Sequence, residues 1–123
     1  MPSEMRDDLA EAFETNETFK LVAARNIDTY QLPSVYIACA GRTREGSSRR
    51  LRELIRVVLV MAPMDSDEPW ENVDDYITDA LETIYGCEYP IFPELRDITT
   101  ATIKTQDRSA KEFSVVVIQC IGP

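Results

Sequence analysis

Residues 51–62 read LRELIRVVLVMA, and this stretch decides the fold. Successive residues of a strand point to opposite sides of a sheet. One side of this stretch is strongly apolar and carries Ile55, Val57, Leu59 and Met61. The other side is partly apolar, and its apolar members Leu54, Val58 and Val60 are interrupted by Arg56. A strand that is apolar on both sides is typical of the centre of a sheet. We therefore predict a central strand with a cover on each face, the second cover being a helix or another subunit.

Further strands are predicted on both sides of this centre. Upstream, residues 19–24 (FKLVAA) indicate a short strand, and residues 32–41 (LPSVYIACAG) a longer one. In the longer strand, Val35, Ile37 and Cys39 point one way, whereas Tyr36, Ala38 and Ala40 point the other. Downstream, the Thr-rich stretch 97–106 and the β-branched stretch 111–122 are typical of an antiparallel hairpin. Residues 41–50 and 87–96 are predicted to be loops.

Two amphipathic helices complete the pattern. Residues 3–15 carry an apolar stripe at helical spacing, beginning at Met5, with Ser3 as the predicted N-cap. Residues 70–85 carry a second stripe, which we expect to contact the sheet through Trp70 and Ile77. Asp67 or Glu68 is the predicted cap of this helix. Its solvated face is predicted to hold Asp74, Asp75, Asp79 and Glu82.

The element order is helix, short strand, two long strands, helix and a closing hairpin. Residues 1–123 are therefore predicted to form a single α+β domain. Its sheet is expected to have four to five mostly antiparallel strands, covered by the two helices.

Composition is that of a folded globular protein, because 44% of the residues are hydrophobic and 28% are charged. No apolar run approaches the length of a membrane span, and the acidic N-terminus lacks the apolar stretch of a signal peptide. A cytosolic origin is the expectation. The net charge of −9 argues against general nucleic-acid binding, since phosphate backbones require cations.

Charge is unevenly distributed along the chain. Residues 42–56 contain six Arg against Glu45 and Glu53, a local net charge of +4. The polar stretch GRTREGSSRR, residues 41–50, is the clearest predicted loop. Such arginines can be solvated surface, a protein contact or a nucleic-acid contact, although no aromatic side chain is present to stack on a base. The protein-interaction candidates are Arg42, Arg44, Arg49, Arg50 and Arg52.

Residues suited to catalysis are scarce. The chain has no His, which removes the commonest general base and most zinc sites. The three cysteines, Cys39, Cys87 and Cys120, lack CxxC spacing, and we expect them to be buried thiols. Cys87 follows a helix C-terminus, whose dipole raises the pKa of a thiol. We therefore expect neither an enzyme nor a bound cofactor or metal.

The arrangement resembles the tail terminator, or tail completion, proteins of long-tailed bacteriophages. The resemblance spans nearly the whole chain and is carried by the order and size of the elements and by their pattern of apolar and polar residues. After the leading helix come KLVAA (20–24), LPSVYIACAG (32–41), GRTREGSSRRLR (41–52), ELIRVVLVMAPM (53–64), DEPWENVDDYITDALETI (67–84), ITTATIKTQ (98–106) and FSVVVIQCIG (113–122).

The resemblance implies a structural protein of the virion that assembles in the host cytoplasm. Members of this family form a ring, usually a hexamer, at the head-proximal end of the tail tube, where it ends tail growth and allows head–tail joining. It also implies contacts with the tail-tube protein and with neck or connector proteins, through a loop that here is Arg42–Arg52. DNA would only pass through the lumen. The alternatives are another neck or head-completion protein, or a small ligand-binding regulatory domain with a pocket between helix and sheet.

Overall fold

The computed structural model describes residues 4–22, 32–44, 51–88, 90–104 and 109–122. Within these ranges the chain forms two helices and five strands, and the predicted α+β class is confirmed. In chain order the elements are α1 (Glu4–Thr15), β1 (Lys20–Leu21), β2 (Ser34–Arg44), β3 (Leu51–Pro63), α2 (Val73–Tyr85), β4 (Phe92–Lys104) and β5 (Ala110–Ile121).

All five strands lie in one sheet of order β1-β2-β3-β5-β4. Only the short pairing of β1 with β2 is parallel, and the other three pairings are antiparallel. β3 is central, as its two apolar sides predicted. The β4–β5 hairpin folds back so that β5 lies between β3 and β4, and α2 makes the crossover from β3 to β4.

The main core lies between the two helices and one face of the sheet. α1 buries Met5, Leu9 and Phe13, and α2 buries Ala80 and Ile84. The sheet contributes Val35, Ile55, Val57, Leu59, Met61, Val116, Ile118 and Cys120. Burial of each large apolar side chain contributes about 1.5–3 kcal/mol to the stability of the fold. This face confirms the predicted helix cover.

The opposite face of the sheet is different, because both described helices pack on the first face. It carries a smaller buried cluster of Val58, Val60, Phe113 and Val115. Half-buried side chains, including Tyr36 and Val117, extend this cluster. We call this side of the sheet the second face. The second cover predicted from the sequence is therefore not one of the described helices.

Part of the predicted basic loop is strand, which corrects the sequence-based assignment. Residues 41–44 belong to β2, whereas β3 begins at Leu51 as predicted. Arg42 pairs with Glu53 and Thr43 with Arg52 across the two strands. A bulge between Cys39 and Gly41, which has φ 114°, precedes this pairing. Main-chain hydrogen bonds can continue a strand pairing where the side chains are polar. This strand end therefore lacks the hydrophobic alternation by which a strand is recognised in a sequence.

The second helix starts later than predicted, at Val73 instead of Trp70. The preceding residue, Asn72, has φ 61°, a left-handed conformation that Asn tolerates better than most residues and that a helix cannot contain. Asp67 and Glu68 therefore lie in the irregular segment before the helix and do not cap it, because the N-cap position is held by Asn72. Trp70 nevertheless packs against the main core, as does Ile77.

The last predicted loop is also partly strand. β4 begins at Phe92, and Pro93 lies opposite Cys120 in the ladder. Proline is tolerated there because β4 is an edge strand and needs no second row of hydrogen bonds. The antiparallel closing hairpin is confirmed. Its turn lies outside the described residues.

Candidate functional site

A groove of about 340 Å³ crosses the second face of the sheet. Its floor is apolar and includes Val58 and Val115, which are buried, and Tyr36 and Val117, which are half-buried. Polar and charged side chains also line it: Arg56, Arg96, Asp97, Thr99 and Gln119. The groove is thus an apolar channel with two guanidinium groups and one carboxylate beside it.

Strand register assembles the groove from distant parts of the chain. Tyr36 lies opposite Val58, Val58 opposite Val117, and Val117 opposite Asp97. One row further along, Arg56 lies opposite Gln119. Directly opposed residues of antiparallel strands point to the same face, so four strands present one continuous surface.

A bulge in β4 determines the position of Arg96. The register shifts between Leu95, opposite Ile118, and Asp97, opposite Val117. Arg96 is the extra residue, and both Arg96 and Asp97 line the groove. The Arg96 Nη1 atom lies 3.4 Å from Glu94 Oε1 in an exposed ion pair. Exposed pairs of this kind contribute at most about 1 kcal/mol, so Arg96 can exchange its partner at little cost.

Among the described residues that line the groove, Tyr36 is the one that carries a phenol. Burial raises the pKa of this phenol above its ordinary value of 10.0. At neutral pH the side chain is therefore a neutral hydroxyl that can donate or accept a hydrogen bond.

The arginines predicted to form the interaction loop are only partly described. Arg42 and Arg44 lie in β2, where the structure describes their main chain but not their side chains. Arg49 and Arg50 lie outside the described residues. Arg52 is a half-buried residue of β3. Arg52, the one member of the five whose side chain is described, is not among the residues that line the groove.

In the sequence, Arg56 stands out only as an interruption of an apolar face, and nothing marks Arg96 as a groove residue. Arg56 could have been found from the sequence, because a charged residue on one side of a buried strand marks a place where that face opens to solvent. Arg96 could not, because its orientation depends on the bulge.

Edge strand β4 is the second notable surface. Three of its large apolar side chains are exposed: Phe92 by 56%, Leu95 by 43% and Ile98 by 50%. The first half of β4 contains features that hinder pairing with another strand: Pro93, the charged residues 94, 96 and 97, and the bulge. The second half, ITTATI at residues 98–103, has no charge and no proline.

Burial raises the pKa of both described thiols, Cys87 and Cys120. Burial raises the pKa of the Cys120 thiol to about 12, and the neighbouring Cys87 adds to the effect. The pKa of Cys87 is raised by burial and then by Asp8. The predicted direction for Cys87 is therefore confirmed, although its main cause is burial. Cys120 is buried as predicted, and the side chain of Cys39 lies outside the description.

In the described ranges no three His, Cys, Asp or Glu side chains are placed to hold a metal ion together. Within the same ranges, neither helix has the length and apolar character needed to cross a membrane. No protein-family model matches the chain, and no curated protein matches it significantly.

Proposed function

We propose that this protein is a structural component of a bacteriophage virion that forms a ring on the head-proximal end of the tail tube. The ring, a hexamer as in the family that the sequence resembles, ends tail growth and offers a surface for head–tail joining. Its partners are further copies of the chain, the tail-tube protein and neck proteins. This proposal rests on the resemblance together with the surfaces described above.

The observation that carries the proposal is the exposed edge of β4. Isolated sheet edges are normally protected by charges, prolines or bulges. In β4 these devices stop at Asp97, and the six following residues carry neither charge nor proline. Within the described sheet, β4 pairs with β5 on one side only. Exposed Ile98 adds apolar contact area at the start of this segment. Such an edge is suited to pairing with a strand of another protein molecule.

The distribution of charge supports the same proposal. α1 and α2 together carry nine carboxylates and a single Arg, whereas the six arginines of residues 42–56 lie on β2, on β3 and in their connection. A molecule divided in this way attracts oppositely charged protein surfaces. It is equally compatible with a DNA passage, because an acidic lumen would not retain phosphate.

A small ligand-binding regulatory domain is the competing function. The space between helices and sheet, where such a pocket was expected, is filled by the main core. The groove on the second face and a depression of about 510 Å³ beside the end of α1 and β1 are the surfaces where a ligand would bind. Titration with small molecules separates the two proposals, since a ligand-binding domain gains thermal stability on saturation.

Electron microscopy of purified phage tails tests the proposal directly. A tagged chain should add density at the head-proximal end of each tail, and particles made without the protein should have overlong or headless tails. Complete tails of normal length that lack density for the tagged chain would contradict it. Matched tails carrying the untagged protein provide the control.

A further inference from the structure

We infer that the groove on the second face is the docking site for α2 of another copy of this chain. The inference rests on the proposed ring, because it identifies which surfaces of neighbouring subunits meet. It also accounts for the sheet face that the described helices leave uncovered.

The occupant is indicated by the outer surface of α2, which we define by Asp75, Thr78, Glu82 and Tyr85. These residues follow one another at steps of three, four and three, so they share one side of the helix. All four are exposed, and they lie opposite the buried residues Ala80 and Ile84. Tyr85 is 69% exposed, the largest value among the exposed large hydrophobic residues of the described chain.

This surface and the groove are complementary in character. Tyr85 is an apolar ring with one polar tip, and the groove floor has apolar Val58 and Val117 beside the Tyr36 hydroxyl. An exposed aromatic side chain that fills an apolar depression is the usual anchor of a protein interface.

The charges are complementary as well. One turn from Tyr85, Glu82 provides a carboxylate, and Asp75 provides another at the far end of the same surface. The described lining of the groove holds two cations, Arg56 and Arg96, against one carboxylate, Asp97. Arg96 forms an exposed ion pair with Glu94. α2 contains no cationic residue that would oppose this contact.

A contact between two different surfaces of the same chain is heterologous. It repeats from copy to copy and produces a ring when the rotation between neighbours closes, or a filament when it does not. This is the type of contact that a cyclic hexamer requires.

A charge-swap experiment tests the inference with the full chain. The first variant, Arg56→Glu with Arg96→Glu, makes the groove acidic. The second, Asp75→Lys with Glu82→Lys, makes the outer surface of α2 basic. Each variant alone places like charges in contact, so sedimentation should show it as a monomer while the unmodified protein associates at low salt. An equal mixture pairs each altered surface with its complement and should recover association.

Two further measurements sharpen the result. Tyr85→Ala should weaken association at least tenfold without lowering the melting temperature, whereas Thr78→Ala on the same surface should have little effect. High salt should reduce association of the unmodified protein, because the charges are at the surface.

Several outcomes would overturn the inference: an unmodified protein that stays monomeric at low salt, single variants that associate normally, or a folded mixture that remains monomeric. Microscopy separates this failure from failure of the proposed function. Rings on tails formed equally by both single variants would retain the tail function and remove this contact. Restored association in the mixture, with no protein on tails, would retain the contact and remove the tail function.

Discussion

The carboxylate of Asp79 accepts a hydrogen bond from the side-chain amide of Asn16, with 2.7 Å between Oδ1 and Nδ2. Its second oxygen accepts from the Thr18 hydroxyl at 2.6 Å. Asn16 also donates to Thr83 Oγ1, and its own oxygen accepts from the backbone N–H of Thr18. Asp79 thus ties the segment after α1 to the middle of α2. The prediction that Asp79 lies on the solvated face of the helix is therefore wrong.

Replacing Asp79 should therefore destabilise the fold. Asp79→Ala removes the acceptor of two charge-assisted hydrogen bonds, and we expect a loss of about 1.5–3 kcal/mol in the free energy of unfolding. Urea denaturation measures it. Asp75→Ala, on the exposed side of the same helix, is the matched control and should change stability by less than about 0.5 kcal/mol. Equal effects of the two substitutions would mean that the Asn16 contact contributes nothing.

Ser114 is a second polar residue on which the fold depends. It is fully buried, and its hydroxyl accepts from the Ala62 N–H at 3.1 Å beside the bulge in β3. Its hydroxyl hydrogen has the carbonyl oxygens of Ala62 and Pro69 within reach. Ser114→Ala leaves these part-buried main-chain groups without that partner and should lower stability by about 1–3 kcal/mol. Thermal unfolding measures the loss, with Thr78→Ala, at an exposed position, as the control. A Ser114→Ala variant as stable as the parent would refute the prediction.

The contact between α2 and the sheet should depend more on Ile84 than on Ile77. Ile84 is 1% exposed, whereas Ile77 is half-buried although it packs against the main core. Ile84→Ala should cost about 2–5 kcal/mol through lost burial and a cavity. Ile77→Ala should cost less. Chemical denaturation of both variants gives the comparison, and a larger loss at Ile77 would place the helix in a different rotation.

The raised thiol pKa of Cys120 makes stability depend on alkaline pH. In the unfolded chain this thiol ionises near its ordinary value of 9.0, and in the fold it ionises at about 12. Its contribution is therefore complete below pH 9 and is lost as the pH rises toward 12. Cys120→Val, similar in volume, should lose less stability than the parent over that range. Parallel pH-dependent losses in denaturant titrations of the two proteins would exclude Cys120 as the cause.

The basic segment between β2 and β3 gives a prediction about tail assembly. Reversing Arg44, Arg49 and Arg50 to Glu should preserve the melting temperature but yield overlong tails or tails that fail to join heads. Exposed charges act weakly one at a time, so all three must change together. The control reverses three exposed lysines instead: Lys20, Lys104 and Lys111. Head-joined tails of normal length from the arginine variant would show that these arginines are only solvated surface.

Local pattern in the sequence determined which segments are strands and helices. Alternation around Val57 and helical spacing from Met5 to Phe13 reflect burial on one side of an element, so they are visible in neighbouring residues alone. The α+β class, the central place of β3 and the closing hairpin follow from such patterns. The ends of β2 and of α2 could not be predicted from such patterns. The pairing of β2 beyond Gly41 and the left-handed conformation of Asn72 depend on main-chain geometry.

Only the tertiary structure decided how these elements combine into surfaces. Insertion of β5 between β3 and β4 brings Gln119 beside Arg56, and the bulge in β4 turns Arg96 toward the same groove. These residues are separated by tens of positions in the chain, so no local periodicity records their contact. The same holds for Asp79, whose partner Asn16 is 63 residues away. A carboxylate on a helix has the same sequence signature whether it meets water or an amide from another segment, and only the packing of α1 beside α2 distinguishes the two.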